Sequence, residues 1–205
     1  MRHATLREAQ AGVPGPKAGG RNTPQPGERL FLALAPPDYV RAELAGLAEP
    51  LRGVSWVRPA QLHLTLRFIG EVRVDGINRI EERLASIRVE SFIVPIEGVG
   101  VFPPKGPPRV IWAGVGAGHP HLFQLRQRLD DAVLGAGIDF DVRIFQPHIT
   151  LARCAEGAGS AALHWLRRHR GFSTAPFRVR AFDLCASRLS HQFAEHTLRR
   201  RYTLD

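Results

Sequence analysis

The sequence predicts an α+β fold in which antiparallel sheets are flanked by helices. Segments with strand character alternate along the chain with segments of helix character. The strands are amphipathic, which is typical of antiparallel sheets that pack on one face and stay open on the other. A strand–helix–strand–helix order occurs once before the Pro-rich stretch 102–108 and recurs loosely after it. This recurrence indicates two pseudo-symmetric lobes, although no residue-level repeat spans them.

The first elements follow a segment of different composition. Residues 1–27 include nine Gly or Pro residues and show no apolar periodicity, so we expect a flexible leader or sequence upstream of the true start. The folded part is expected to be a single bilobal domain over 28–205. Its first strand is the continuous apolar run 29–35. A helix with one buried face then opens at Pro36-Pro37-Asp38.

The remaining elements follow from apolar periodicity and breaker residues. The Pro-rich stretch 102–108 excludes a tight hairpin between its flanking strands. Gly135 is predicted to cap the helix before it. In chain order we expect a strand over 62–72, a helix over 74–87, strands over 91–102 and 109–115, a helix over 121–134, a strand over 147–152, a helix over 160–168, and strands over 177–186 and 195–202.

Length and composition restrict the class of protein. With 205 residues, 44% hydrophobic and 23% charged, the chain has the composition of a soluble globular protein of one domain. No apolar run approaches the roughly 20 residues of a membrane-spanning helix, and the N-terminus lacks the apolar segment of a secretory signal. Cys154 and Cys185 lack metal-ligand spacing. We therefore expect a reduced cytoplasmic protein, without a membrane partner and as a monomer.

The charge favours an anionic partner. The formal net charge is +9, from 28 basic and 19 acidic residues, which makes nucleic acid the first candidate. All but two of the basic residues are Arg, a usage typical of a GC-rich genome that leaves the size of the excess unexplained. The run Arg199-Arg200-Arg201 fits either an exposed strand end or part of an RNA track.

Two short motifs carry candidate chemistry. Leu62-His63-Leu64-Thr65-Leu66 recurs 85 residues later as Pro147-His148-Ile149-Thr150-Leu151. Residues two apart on a strand point to the same face, so each motif presents an imidazole and a hydroxyl opposite its apolar residues. A third match, His3-Ala4-Thr5, lies in the leader without a strand around it. One His-x-Thr strand is most often structural, but two in equivalent strands favour a functional site.

Paired imidazoles suit phosphoryl chemistry. One can act as general base and the other as general acid, because imidazole titrates near neutral pH. Thr65 and Thr150 can bond the oxygens of a phosphate, and no metal is required. By alternation Arg67 falls on the His63 face and is a candidate phosphate ligand. Arg153 has the opposite parity to the second histidine and is a weaker candidate.

These motifs and their surroundings resemble a known family. They are similar to the two His-x-Thr-x signatures of the 2H phosphoesterases, and more closely to the RNA 2′,3′-cyclic phosphodiesterases, also named 2′-5′ RNA ligases. The resemblance covers residues 29–205 in order. Its segments are Arg29-Leu30-Phe31-Leu32-Ala33-Leu34, Trp56-Val57-Arg58-Pro59, His63 to Gly70, Phe102-Pro103, Pro108 to Gly114, Phe145 to Arg153, and Ser187-Arg188-Leu189.

The resemblance implies two lobes with the active-site cleft between them and one signature in each lobe. It implies an RNA end with a 2′,3′-cyclic phosphate as substrate, opened to a 2′-phosphomonoester without metal or cofactor. It assigns His63 as proton donor and His148 as proton acceptor, with Thr65 and Thr150 on the phosphate. Three alternatives stay open: an RNA-end-binding module without turnover, an enzyme for another cyclic phosphate, and ligation of tRNA halves through a 2′-5′ linkage.

Overall fold

The computed structural model of the chain describes residues 27–141, 144–189 and 194–205. The predicted leader, apart from Gly27, lies outside the described residues. The elements in chain order are β1 (Glu28–Leu34), α1 (Asp38–Ala45), β2 (Val54–Trp56), a 3-10 turn (Pro59–Gln61), β3 (Leu64–Val72), α2 (Val74–Ala85), β4 (Phe92–Val94), β5 (Ile96–Phe102), β6 (Val110–Val115), α3 (Pro120–Gly135), β7 (His148–Cys154), α4 (Gly159–His169), β8 (Phe177–Val179), β9 (Ala181–Leu189) and β10 (Ala194–Thr203).

The strands form one large antiparallel sheet and one small one. The large sheet has the order β10-β9-β1-β3-β7-β6-β5, with β2 paired to β7 beside β3, and the small sheet pairs β4 with β8. The predicted α+β class is therefore confirmed. Strands β10, β9, β1 and β3 make a first half-sheet, and β7, β6, β5 and β2 make a second. Each half-sheet contains one of the two His-x-Thr motifs, as the predicted lobes require.

The large sheet has a back face that packs into the core and a front face that carries the motifs. Leu32 and Leu34 of β1 and Leu64 of β3 are fully buried on the back face. Helix α3 packs against β3, and α2 packs against α3. Apolar burial of this kind contributes about 25 cal/mol per Å² and dominates the stability of the fold. Among the described residues, no helix is long and apolar enough to cross a membrane.

The helix boundaries depart from the sequence prediction at Gly135. This glycine is the last residue of α3, and the C-cap is Ala136. The guanidinium of Arg83 occupies the space that a Cβ at position 135 would need. The left-handed residue after the helix is Gly137, with φ 74°. Periodicity did not predict β2 either, because three residues are too few to establish an apolar alternation.

Candidate active site

The two motifs meet where the half-sheets join. Leu64 pairs with Ile149, and both side chains are fully buried on the back face. Residues on either side of an antiparallel pair also face each other, so His63 lies opposite Thr150 and Thr65 lies opposite His148. The fold thus brings these four predicted site residues together on the front face.

Both imidazole rings are oriented by the same local contact. The Nδ1 atom of His63 lies 2.8 Å from the carbonyl oxygen of Gln61, and Nδ1 of His148 lies 2.7 Å from the carbonyl oxygen of Gln146. A carbonyl oxygen can only accept, so each Nδ1 carries the proton that it donates. In the neutral ring Nε2 is then the unprotonated nitrogen. Each ring can therefore take a proton at Nε2 and, once charged, give it back.

The surroundings of His63 strongly favour its neutral form. Burial lowers the pKa of His63 from 6.5 to about 4, against the opposing effect of its hydrogen bond to Gln61. The neighbouring imidazoles of His196 and His148 lower it further, because a second positive charge nearby is unfavourable. These effects favour the neutral imidazole of His63 at neutral pH.

Arg67 lies on the back face, so the prediction that it shares the face of the first motif's histidine is wrong. Strand β1 pairs Ala33 with Thr65 but pairs Leu32 with Arg67. Leu66 is therefore an extra residue in β3, a β-bulge that reverses the alternation of the side chains beyond it.

Three hydrogen bonds hold the guanidinium of Arg67 at this back-face position. Its Nε and Nη2 donate to the two carboxylate oxygens of Asp130 at 2.6 and 2.5 Å, and its Nη1 donates to the carbonyl of Asp141 at 3.0 Å. It also lies 3.9 Å from the centre of the Phe140 ring. The ion pair with Asp130 ties β3 to α3. Because the Arg67 side chain is only 6% exposed behind the sheet, it does not reach a phosphate bound at the two motifs.

The same bulge changes the place of Phe68. It pairs with Phe31 on the front face and is 65% exposed, whereas strict alternation from Leu64 would place its side chain behind the sheet. This exposed phenyl ring adds an apolar surface to the front face beside the first motif.

Arg153 is a cation on the front face. Strand β6 pairs Trp112 with Thr150 and Val110 with Arg153, which makes Leu151 the extra residue of a bulge in β7. The bulge moves Arg153 onto the front face, contrary to the parity expected from the sequence. Its side chain is exposed, and no described carboxylate forms an ion pair with it.

A third imidazole, that of His196, also lies at the first motif. Its ring centre is 4.9 Å from that of His63, edge to face, and 4.8 Å from that of Phe31. The Phe31 ring is 5.0 Å from His63, so the three rings pack on one another. The sequence analysis did not predict this contact, because His196 lies on the last strand, more than 130 residues beyond the first motif.

The second motif has its own aromatic neighbours. The rings of Phe102 and Trp112 lie 5.0 and 6.3 Å from that of His148. Strand β5 passes beneath the indole at Gly100, where any Cβ would overlap the Trp112 ring. Glycine at this position therefore permits the placement of Trp112 beside His148.

The basic run on β10 is neutralised by neighbouring carboxylates. Arg199 forms ion pairs with Glu28 at 2.8 Å and with Glu81 at 2.7 Å, and Arg201 bonds both oxygens of Asp183. The run is thus an exposed strand end held by acidic partners, the first of the two interpretations of the sequence.

The described residues offer no clustered metal ligands. No group of three or more His, Cys, Asp or Glu side chains among them could hold a metal ion. Cys154 and Cys185 are free thiols, and burial raises the pKa of Cys185 to about 12, which keeps it protonated and unreactive.

Comparison with known proteins agrees with this geometry. The sequence pattern of the family described as LigT like Phosphoesterase matches the chain twice, over residues 34–112 and 115–193. Each match contains one of the two His-x-Thr motifs.

Individual relatives and a solved structure extend the match. The RNA 2′,3′-cyclic phosphodiesterase of Archaeoglobus fulgidus is 34% identical over 79% of this chain and 92% of its own. The protein of the same name from Aeropyrum pernix is 38% identical over 64% and 73%. The crystal structure of E. coli LigT in its apo form covers 88% of this chain and 99% of its own, with a TM-score of 0.72 and 26% identity. The chain belongs to the LigT-like family of 2H phosphoesterases.

Proposed function

We propose that the chain hydrolyses the 2′,3′-cyclic phosphate at RNA ends to a 2′-phosphomonoester, with His63 and His148 as general acid and base. One observation carries the proposal: two imidazoles with Nδ1 held by a backbone carbonyl, each set across the β3–β7 register from the threonine of the other motif. The names of the relatives from Archaeoglobus fulgidus and Aeropyrum pernix support the same reaction.

The reaction needs two proton transfers. A water oxygen bonds to phosphorus while the base takes the water proton at Nε2. The bond from phosphorus to the 3′ oxygen breaks, and the acid protonates that oxygen from its own Nε2. After one turnover the acid has lost a proton and the base has gained one. Proton transfer to and from solvent then restores the starting states of both imidazoles. Acid and base are both side chains of this protein, so we propose that the reaction is independent of metal.

The family assigns the donor role to His63 and the acceptor role to His148, and we adopt this assignment. A donor must be charged, whereas burial favours the neutral form of His63. The negative charge of a bound cyclic phosphate favours the imidazolium and raises its pKa. Substrate binding therefore charges the donor, and this coupling keeps the acid inactive until a phosphate is present.

Thr65 and Thr150 are proposed to hold the non-bridging oxygens of the phosphate. Each hydroxyl lies across the register from the histidine of the other motif, on the front face. Hydrogen bonds to these oxygens position phosphorus between the two imidazoles and stabilise the charge that builds up in the transition state. Arg67 is not part of this site, because Asp130 and Asp141 occupy its donors.

Hydrolysis of a nucleoside 2′,3′-cyclic phosphate in the presence of EDTA, with separation of the 2′- and 3′-monophosphates, tests the proposal. Saturable release of the 2′-monophosphate is expected. Release of the 3′-isomer would contradict the proposed leaving group. Tight binding of the RNA end without release would instead support a binding module, the main alternative. The control variant is His164→Gln, which removes an exposed imidazole on α4, away from the two motifs. It is expected to leave turnover unchanged.

A further inference from the structure

The side chain of Gln61 joins the first motif to β10. Its Oε1 accepts from the amide N of His196 at 2.9 Å, and its Nε2 donates to the carbonyl of His196 at 3.3 Å. A strand residue presents its N–H and C=O to the same side, so the primary amide of Gln61 meets both groups as a neighbouring strand would. The nearby ion pair of Arg58 and Glu195 is exposed and adds little. In the described residues, the two amide bonds are therefore the main polar tie between β10 and the segment before His63.

The main chain of the same residue holds the imidazole of His63. The carbonyl of Gln61 accepts from Nδ1 at 2.8 Å, and this bond sets both the tautomer and the direction of the ring. The direction of a carbonyl follows the ψ angle of its own residue. Strand β10 is paired with β9 along its length and is a firm anchor. Fixing the side chain of Gln61 on β10 therefore limits the movement of the carbonyl as well.

The second motif meets the same requirement in a different way. The carbonyl that holds His148 belongs to Gln146, whose exposed side chain has no hydrogen bond within the part of the chain that the structure describes. The next residue, Pro147, disfavours helical backbone angles for Gln146 and so restricts its ψ angle. Proline would not serve at the first motif, because the amide N of Leu62 donates to the carbonyl of Pro59 at 3.2 Å.

Building on the proposed function, we propose that Gln61 is a positioning residue for the reaction. Its side-chain amide fixes the carbonyl that orients His63, which is the task of Pro147 at the second motif. Both polar atoms of the Gln61 side chain are bonded to β10, so it acts through His63 and not on the substrate. Loss of the amide should therefore impair the chemical step and leave the binding of the phosphate by Thr65 and Thr150 intact.

The test compares Gln61→Met, which replaces the amide with an apolar side chain of similar length, with Gln127→Met, which changes an exposed glutamine of α3. Two readouts are taken at pH 7: kcat and KM for a nucleoside 2′,3′-cyclic phosphate, and the tautomer of His63 from the ¹⁵N shifts of its ring. We expect Gln61→Met to lower kcat by about tenfold with little change in KM, and to populate the Nε2–H tautomer of His63. Gln127→Met should match the wild type in both readouts.

Gln61→Glu is the second variant, because its carboxylate still accepts from the amide of His196 but cannot donate to the carbonyl. Its kcat, at its own pH optimum, is expected to lie between those of the wild type and Gln61→Met. An unchanged His63 tautomer in folded Gln61→Met, or in Gln61→Glu where the first variant does not fold, would overturn the positioning role and leave the proposed function intact. Absence of hydrolysis by the wild type would refute the proposed function, while the tautomer still reports whether Gln61 orients the ring.

Discussion

Leu64 and Ile149, the middle residues of the two motifs, are paired across β3 and β7 and fully buried behind the sheet. In the described residues, Leu64 and Ile149 are the only residue pair in the register of β3 with β7, the two strands that join the half-sheets. The distance between the histidines on the front face is therefore set by the packing of two aliphatic side chains on the back.

Shortening one of these side chains is expected to loosen the site more than the fold. Ile149→Val removes one buried methylene and should lower the free energy of unfolding by about 1 kcal/mol. It should also lower kcat several-fold, because acid–base catalysis depends on sub-ångström placement of the reacting groups. Ile80→Val, at a fully buried position of α2, is the control, with a similar stability loss and unchanged kcat. Equal kcat in both variants would show that the pair does not set the geometry.

The two arginines are expected to have separable roles. Arg67→Met leaves the carboxylate of Asp130 with Arg126 as its remaining partner, 2.9 Å away, and should destabilise the fold by about 2–4 kcal/mol. Turnover per folded molecule should change little. Urea unfolding, with kcat/KM measured on the folded fraction, tests both statements. A stable Arg67→Met protein with a raised KM would indicate that Arg67 binds the substrate, and would contradict its back-face position.

The lowered pKa of His63 predicts a pH-dependent stability. Between the unfolded pKa of 6.5 and the folded pKa of about 4, the unfolded chain binds the proton that the folded chain excludes. Stability is therefore lost as the pH falls through this window, by up to about 3 kcal/mol from this residue. Comparison of urea unfolding at pH 7 and pH 4.5 for wild type and His63→Gln isolates the effect. We expect a smaller loss in the variant, and an identical loss would refute the burial argument.

Gly100 predicts a steric test of the second motif. In Gly100→Ala the new methyl group overlaps the Trp112 indole, which must then tilt against Phe102 and His148. We expect a stability loss of about 1–3 kcal/mol and a lower kcat. Gly171→Ala is the control, because no atom lies within 4 Å of its new methyl group. Thermal unfolding and steady-state kinetics of both variants distinguish a local clash from a general effect of alanine.

Much of the fold was predictable because it follows from local apolar patterns. The α+β class, most of the elements and the shared face of His63 and Thr65 all rest on strand or helix periodicity. The positions of Arg67, Phe68 and Arg153 were not predictable in this way. A single bulged residue reverses the parity of the side chains that follow it up to the next bulge, and nothing in the apolar pattern reveals which residue bulges.

The third histidine illustrates a different limit. His196 lies on β10, and its ring contact with His63 joins segments more than 130 residues apart in the sequence. No spacing rule connects them. The Arg199–Arg201 run was ambiguous for the same reason, since Glu28, Glu81 and Asp183 come from three other elements.

The most direct test of the central claim is the pH dependence of kcat for hydrolysis of a nucleoside 2′,3′-cyclic phosphate, in the wild type and in His63→Gln and His148→Gln. The wild type should give a bell-shaped profile, because one imidazole must be charged and the other neutral. Each variant should lose about 10²–10⁴-fold in kcat while still unfolding cooperatively on heating. Undiminished turnover in either folded variant would contradict the account.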